Sequence, residues 1–131
     1  MLEGAVKAML EFHEKFGVNI KTTPGIPAQN RQDLRRRLND EEYMELVNAI
    51  WDQDLIKIAD GIGDLIYVLL GQAVEYGIPI DEIFTEIHRS NMTKLWPDGT
   101  VKRNEYGKIL KPSTYSPPDI IGILRKHGAK F

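Results

Sequence analysis

The stretch from Leu55 to Val74 restricts this chain more than any other feature. It is built largely of Leu, Ile, Val, Ala and Gly. As a helix rising about 1.5 Å per residue, it is long enough to cross the hydrocarbon of a bilayer. Lys57, Asp60 and Asp64 interrupt it, and each charge is costly in hydrocarbon. The stretch is therefore expected to be a buried core helix rather than a membrane span, with a large apolar surface to cover and carboxylates to accommodate.

The flanking sequence supplies helical partners. Leu34, Leu38, Met44, Val47 and Ile50 are spaced for one apolar face of a helix over Arg31 to Trp51. Asp52 and Asp54 can cap the next helix, from Leu55 to Tyr76, which Gly77 stops. A first helix is expected from Leu2 to Phe16, carrying Ala5, Met9, Leu10, Phe12 and Phe16 and ending at Gly17. The segment Val18 to Asn30, with Thr22, Thr23, Pro24, Gly25, Ile26 and Pro27, reads as an extended connection. Pro79 and Asp81 open a fourth helix to about Leu95, with Ile83, Phe84, Ile87 and Met92 on its apolar stripe. Pro97, Asp98 and Gly99 then make a turn, the alternation from Val101 to Tyr106 predicts a small hairpin, and Asp119 precedes a last short helix, Ile120 to Lys126.

These elements predict one all-α domain over residues 1–131, a helical bundle with a small hairpin-bearing C-terminal arm from about residue 96. Two antiparallel helices with this much apolar surface are not satisfied within one chain. A homo-oligomer completing a four-helix core is expected, a dimer or else a tetramer.

Composition narrows the function. With 17 Lys and Arg against 19 Asp and Glu, the chain lacks the net basic character expected of a protein held to a nucleic-acid polymer through phosphates. The absence of cysteine excludes disulfides, zinc–thiolate sites and cysteine nucleophiles. Met1 to Ala8 has mixed charge instead of the layout of a secretory signal, so a cytoplasmic protein without a membrane partner is expected. No G-x-x-x-x-G-K-[ST] motif occurs, so any phosphate chemistry does not run on a P-loop.

The acids carry the chemistry. Glu41, Glu42 and Glu45 fall in one sector of the second helix at about 100° per residue. Asp60 and Asp64 stand one turn apart on the apolar third helix, with Gly61 and Gly63 beside them. Glycine costs roughly 0.5–1 kcal/mol relative to alanine inside a helix, which points to close approach of a neighbour or ligand. Across an antiparallel hairpin the two groups form a cage of oxygen ligands suited to Mg²⁺ or Mn²⁺. The competing readings are a solvated glutamate face and aspartates paired with Arg35, Arg36 or Arg37.

Three segments resemble the all-alpha NTP pyrophosphatase superfamily, which includes MazG and phosphoribosyl-ATP pyrophosphohydrolase. LRRRLNDEEYMEL (34–46) is similar to its first acidic helix, with an E-x-x-E motif at Glu42 and Glu45. IADGIGDLIYVLLGQAVEYGI (58–78) is similar to the second, and EIHRSNMTKLWPDGTVKRNEYGKILKPSTYSPPDI (86–120) resembles the C-terminal arm of a MazG-like branch found in bacteria and their phages. The second motif departs from the superfamily's E-x-x-D: Gly61 to Asp64 and Lys57 to Asp60 both lack the leading glutamate.

The resemblance implies a Mg²⁺-dependent hydrolysis of a nucleoside triphosphate to monophosphate and pyrophosphate. Glu42, Glu45, Asp60 and Asp64 are the candidate metal ligands, one aspartate binding directly and the other supporting it or taking the missing place. Glu41 or Glu42 is the candidate base. Asn91, Lys94, Lys108 and Lys111 are the groups implied to close over the substrate, and Trp51 is placed to stack on a base. His88, on a polar face beside Arg89, is assigned no catalytic role. The alternatives are an enzyme narrowed to dUTP or phosphoribosyl-ATP, and a non-catalytic helical interaction module.

Overall fold

A computed structural model describes residues 1–131. The chain is all-α, with α1 (Glu3–Phe16), α2 (Gln29–Trp51), α3 (Leu55–Tyr76), α4 (Ile80–Met92) and α5 (Ile120–Lys126). No helix is long and apolar enough to cross a membrane.

The antiparallel pair α2 and α3 is the centre of the molecule. Gln53, in the left-handed region at φ 53°, reverses the chain, and the Asp54 carboxylate accepts the Lys57 backbone N–H at 3.1 Å to cap α3. Near this turn the helices touch through Gly61: a Cβ there would lie 3.3 Å from the Leu46 Cα. At the far end the buried Glu75 is held from across the pair. Arg31 Nε donates to its Oε1 at 2.9 Å, with Arg31 Nη2 on the same oxygen, and Arg35 Nε donates to Oε2 at 3.1 Å. Gly71 leaves room for this, since a Cβ at that position would stand 2.7 Å from Arg35 Nη1. Two of the three arginines weighed as partners for the aspartates are thus occupied elsewhere, Arg35 by Glu75 and Arg36 by Asp33 at 3.6 Å, and Arg37 pairs with neither aspartate.

On one side of α3, α1 packs Met9 against Leu70 and Val74, with Leu2, Ala5, Leu10 and Ile80 around them. Phe12 meets Tyr67 edge-on with ring centroids 5.7 Å apart. The loop after α1 returns over the end of α3, where the Lys21 and Gly25 N–H groups donate to the carbonyls of Val74 and Tyr76 at 3.1 and 2.9 Å. Gly77 is obligatory at this crossing. Its φ is +65°, and a Cβ would lie 2.5 Å from the Thr23 carbonyl oxygen.

Helix α4 packs on α1 and α5 and holds the arm by charge. Glu86 accepts from Arg89 Nε and Nη2 at 2.9 and 2.7 Å and from the Asp119 backbone N–H at 3.0 Å. The Arg89 guanidinium first, and the Asp119 amide next, push the Glu86 carboxyl down to about 2. Arg89 also donates to Ser116 Oγ and the Pro117 carbonyl, and Glu82 binds Lys126 and His127. The expected hairpin is reduced to a single antiparallel bridge between Arg103 and Ile109.

Three expectations need adjusting. Helix α2 begins at Gln29, ahead of Arg31. Helix α4 ends at Met92 rather than near Leu95, because Thr93 Oγ1 donates to the Ser90 carbonyl and accepts the Ser116 N–H, diverting the chain into the arm. Helix α3 is a core helix on one side only. Leu55, Ile62, Ile66 and Leu69 are exposed, and just 13 of 131 residues are buried in the single chain, too small a core for the apolar surface present.

Replacing Glu75 by Leu strands the buried Arg35 guanidinium, and the expected loss is about 3–5 kcal/mol. Urea unfolding of Glu75→Leu against the parent protein measures it, and pairing that change with Arg35→Met should restore part of the loss.

Candidate metal centre

Midway along the pair, between the Gly61 contact and the Glu75 ion pair, α2 presents Glu42 and Glu45 toward Asp64 of α3. A carboxylate oxygen from each of the three lies within 4.8 Å of the other two. The spacing follows from helix geometry: i and i+3 on α2 share a sector, and the pinned register sets Asp64 opposite them. No arginine or lysine forms an ion pair with any of the three.

The arrangement is electrostatically strained. Burial, above all, raises the Glu42 carboxyl from its usual value, and the charges of Glu45 and Asp64, a hydrogen bond with Glu45, and Glu41 add to the shift. Glu42 Oε2 is buried with no hydrogen-bond partner. A buried acceptor with three negative groups around it needs a proton or a cation, and an oxygen-only donor set is the chemistry that hard divalent ions take. The residues therefore fit Mg²⁺ or Mn²⁺.

The other candidates are distributed around this cluster. Asp60, one turn before Asp64, stands outside it and lines a polar cleft of about 330 Å³ at the hairpin end, together with Glu45, Asn48, Asp52, Lys57 and Gly61. Glu41 is exposed beside the cluster. Trp51 is 81% exposed at the end of α2 and does not line the cleft, although the next residue, Asp52, does. Asn91 and Lys94 line a separate, mostly apolar cleft with Met92, Leu95, Val101 and Ile109. Lys111 lays its ammonium over the Tyr115 ring at 4.6 Å, and Lys108 is exposed on the arm. A single chain thus brings Glu42, Glu45 and Asp64 together, and none of Asn91, Lys94, Lys108 and Lys111 lines the acid cleft.

Of the two registers open for the second acidic motif, Asp64 is the one that faces Glu42 and Glu45, with Gly61 at the place of the leading glutamate. The close Leu46 contact accounts for that glycine, because a larger side chain would push α2 from α3. Gly63 has nothing within 4 Å of its Cβ position and is not explained by packing in the single chain. Asn48, Asp52 and Lys57 were not among the residues the sequence singled out for the site. The i, i+4 spacing of Asn48 and Asp52 was the available signal.

The family model described as phosphoribosyl-ATP pyrophosphohydrolase matches residues 9–91, which include all of α2 and α3. The chain is also similar to a mimivirus protein, "Uncharacterized protein L479" of Acanthamoeba polyphaga mimivirus, at 35% identity over 79 residues. That match covers 57% of this chain and 32% of the viral protein, so the chain spans about a third of that relative's length.

In metal-free protein, deprotonation of Glu42 is opposed by the fold, so its contribution to stability falls as pH rises above the ordinary carboxylate value of 4.5. Glu42→Gln is expected to raise the neutral-pH melting temperature in EDTA and to abolish the increase that Mg²⁺ gives the parent protein. Thermal melts at pH 4.5 and 7.5, with and without the ion, check both signs.

Proposed function

The chain belongs to the phosphoribosyl-ATP pyrophosphohydrolase family, and from that premise we propose that it hydrolyses a nucleoside triphosphate between the α and β phosphates. The products are the monophosphate and pyrophosphate. The observation that carries this reading is the Glu42–Glu45–Asp64 cluster with its unpartnered buried oxygen.

Glu42, Glu45 and Asp64 would hold Mg²⁺ or Mn²⁺, with Asp60 supporting from the adjoining turn. A bound cation supplies Lewis-acid polarisation of the phosphate oxygens. The chain's own groups do the rest. Glu41 or Glu42 accepts the proton of the attacking water. Asn91, Lys94, Lys108 and Lys111 bind the phosphates, and Trp51 stacks on the base. The base and sugar preferred, including the narrower options of dUTP and phosphoribosyl-ATP, belong to the same chemistry with a different pocket.

The working form is a homo-oligomer, a dimer first. Leu55, Ile62 and Leu69 recur every seven residues, with Ile66 beside them, as an exposed apolar stripe on α3. Ile62 and Asp64 point about 200° apart around the helix, so a partner on the stripe leaves the acids open. A second copy also offers a second arm to the acid cleft. Light scattering at micromolar concentration should give at least twice the chain mass, and Ile62→Lys should yield monomer. A monomeric parent protein would refute the assembly.

The reaction is tested by incubating the protein with ribo- and deoxyribonucleoside triphosphates and phosphoribosyl-ATP, with Mg²⁺ and with EDTA, and resolving the products. Metal-dependent monophosphate plus pyrophosphate is expected, and Glu45→Gln should lower kcat by about 100-fold or more. Diphosphate plus phosphate would place the cleavage at the wrong bond. No turnover across the panel would favour a helical binding module.

A further inference from the structure

We infer that Lys57 binds the phosphate chain of the substrate, reaching it from the polar cleft beside the metal centre. The inference rests on the reading of that centre as a nucleotide site. The cleft is continuous with the acid cluster through Glu45, which belongs to both, and Lys57 is the cation among its lining residues, against Glu45, Asp52 and Asp60. Lys57 and Asp64 are close to two turns apart, about 10 Å along the axis, and so share a face of α3.

Lys57 is oddly placed for a structural residue. It stands in the first turn of α3, where the positive end of the helix dipole disfavours a cation. Despite three carboxylates around its cleft, no carboxylate oxygen lies within 4.0 Å of its ammonium. Other lysines and arginines of the chain also lack such a partner, but Lys57 is the one that lines this cleft of acids. An exposed ammonium kept among acids but bound to none of them is available to an anion arriving from solvent.

The cleft's chemistry favours a phosphate chain. Lysine is a compact point charge that suits phosphate oxygens without demanding one geometry, and Asn48 offers an amide donor nearby. A phosphate chain anchored at Glu42, Glu45 and Asp64 would otherwise run along a wall of carboxylates. Lys57 offsets that repulsion where the chain leaves the metal ligands.

The competing role is to neutralise the acids, and it predicts the opposite response. Calorimetric titration of Lys57→Met and Lys57→Gln with inorganic pyrophosphate in saturating Mg²⁺, and with Mg²⁺ alone, separates the two. Phosphate binding predicts pyrophosphate affinity lower by about 10–100-fold with Mg²⁺ affinity unchanged or higher, and most of the affinity kept in Lys57→Arg. Unchanged pyrophosphate affinity in both variants, or an equal loss of Mg²⁺ affinity, would overturn the assignment. A parent protein that hydrolyses triphosphate but does not bind pyrophosphate would remove Lys57 alone. One that does neither would remove the nucleotide site and Lys57 with it.

Discussion

Glu75, buried between Arg31 and Arg35 of the facing helix, sets the register of α2 against α3, and the other arrangements of the molecule follow from that register. A charge this deep is tolerated because two guanidiniums satisfy it, and breaking the set leaves a buried ion without a partner. The Gly61–Leu46 contact pins the same pair of helices near the turn. Glu42, Glu45 and Asp64 lie between the two pins. A slip of one turn would carry Asp64 about 5.4 Å along the axis and disperse the cluster.

Stability and chemistry are divided between the faces of α3. Toward α1, Leu70 and Val74 join Met9 in a small core. Toward α2, Gly61 and Gly71 surrender side-chain packing so that Leu46 and Arg35 can come close. The acids on the flank oppose folding through mutual repulsion, a cost that a bound cation would remove. That conflict between local charge and global fold is characteristic of a functional site rather than of a scaffold. The remaining face carries the apolar stripe, which a single chain leaves in water.

The C-terminal arm is fastened by a different kind of force. Its contacts with α4 are mostly ionic and hydrogen-bonded, through Glu82, Glu86, Arg89 and Thr93, and they lie near solvent. Such contacts position a segment without burying much surface, and they weaken with salt and acid. Lys108 and Lys111 sit on this arm, whereas Asn91 and Lys94 lie at the end of α4 where the arm departs.

Much of this was legible in the residues. Periodicity located every helix, and Gly17, Gly77 and Asp54 marked the ends they actually cap, because the 3.6-residue repeat and the left-handed glycine are local properties. The paired acids were visible for the same reason: spacing along one helix is a local quantity. Which aspartate meets the glutamates, which anion holds Arg35, where α4 stops and how much of α3 stays exposed were settled only by tertiary structure. Each depends on the distance and rotation between separate elements. Those are fixed by the buried Glu75 ion set, by glycine-sized contacts and by side chains from distant parts of the chain, none of which a linear pattern records.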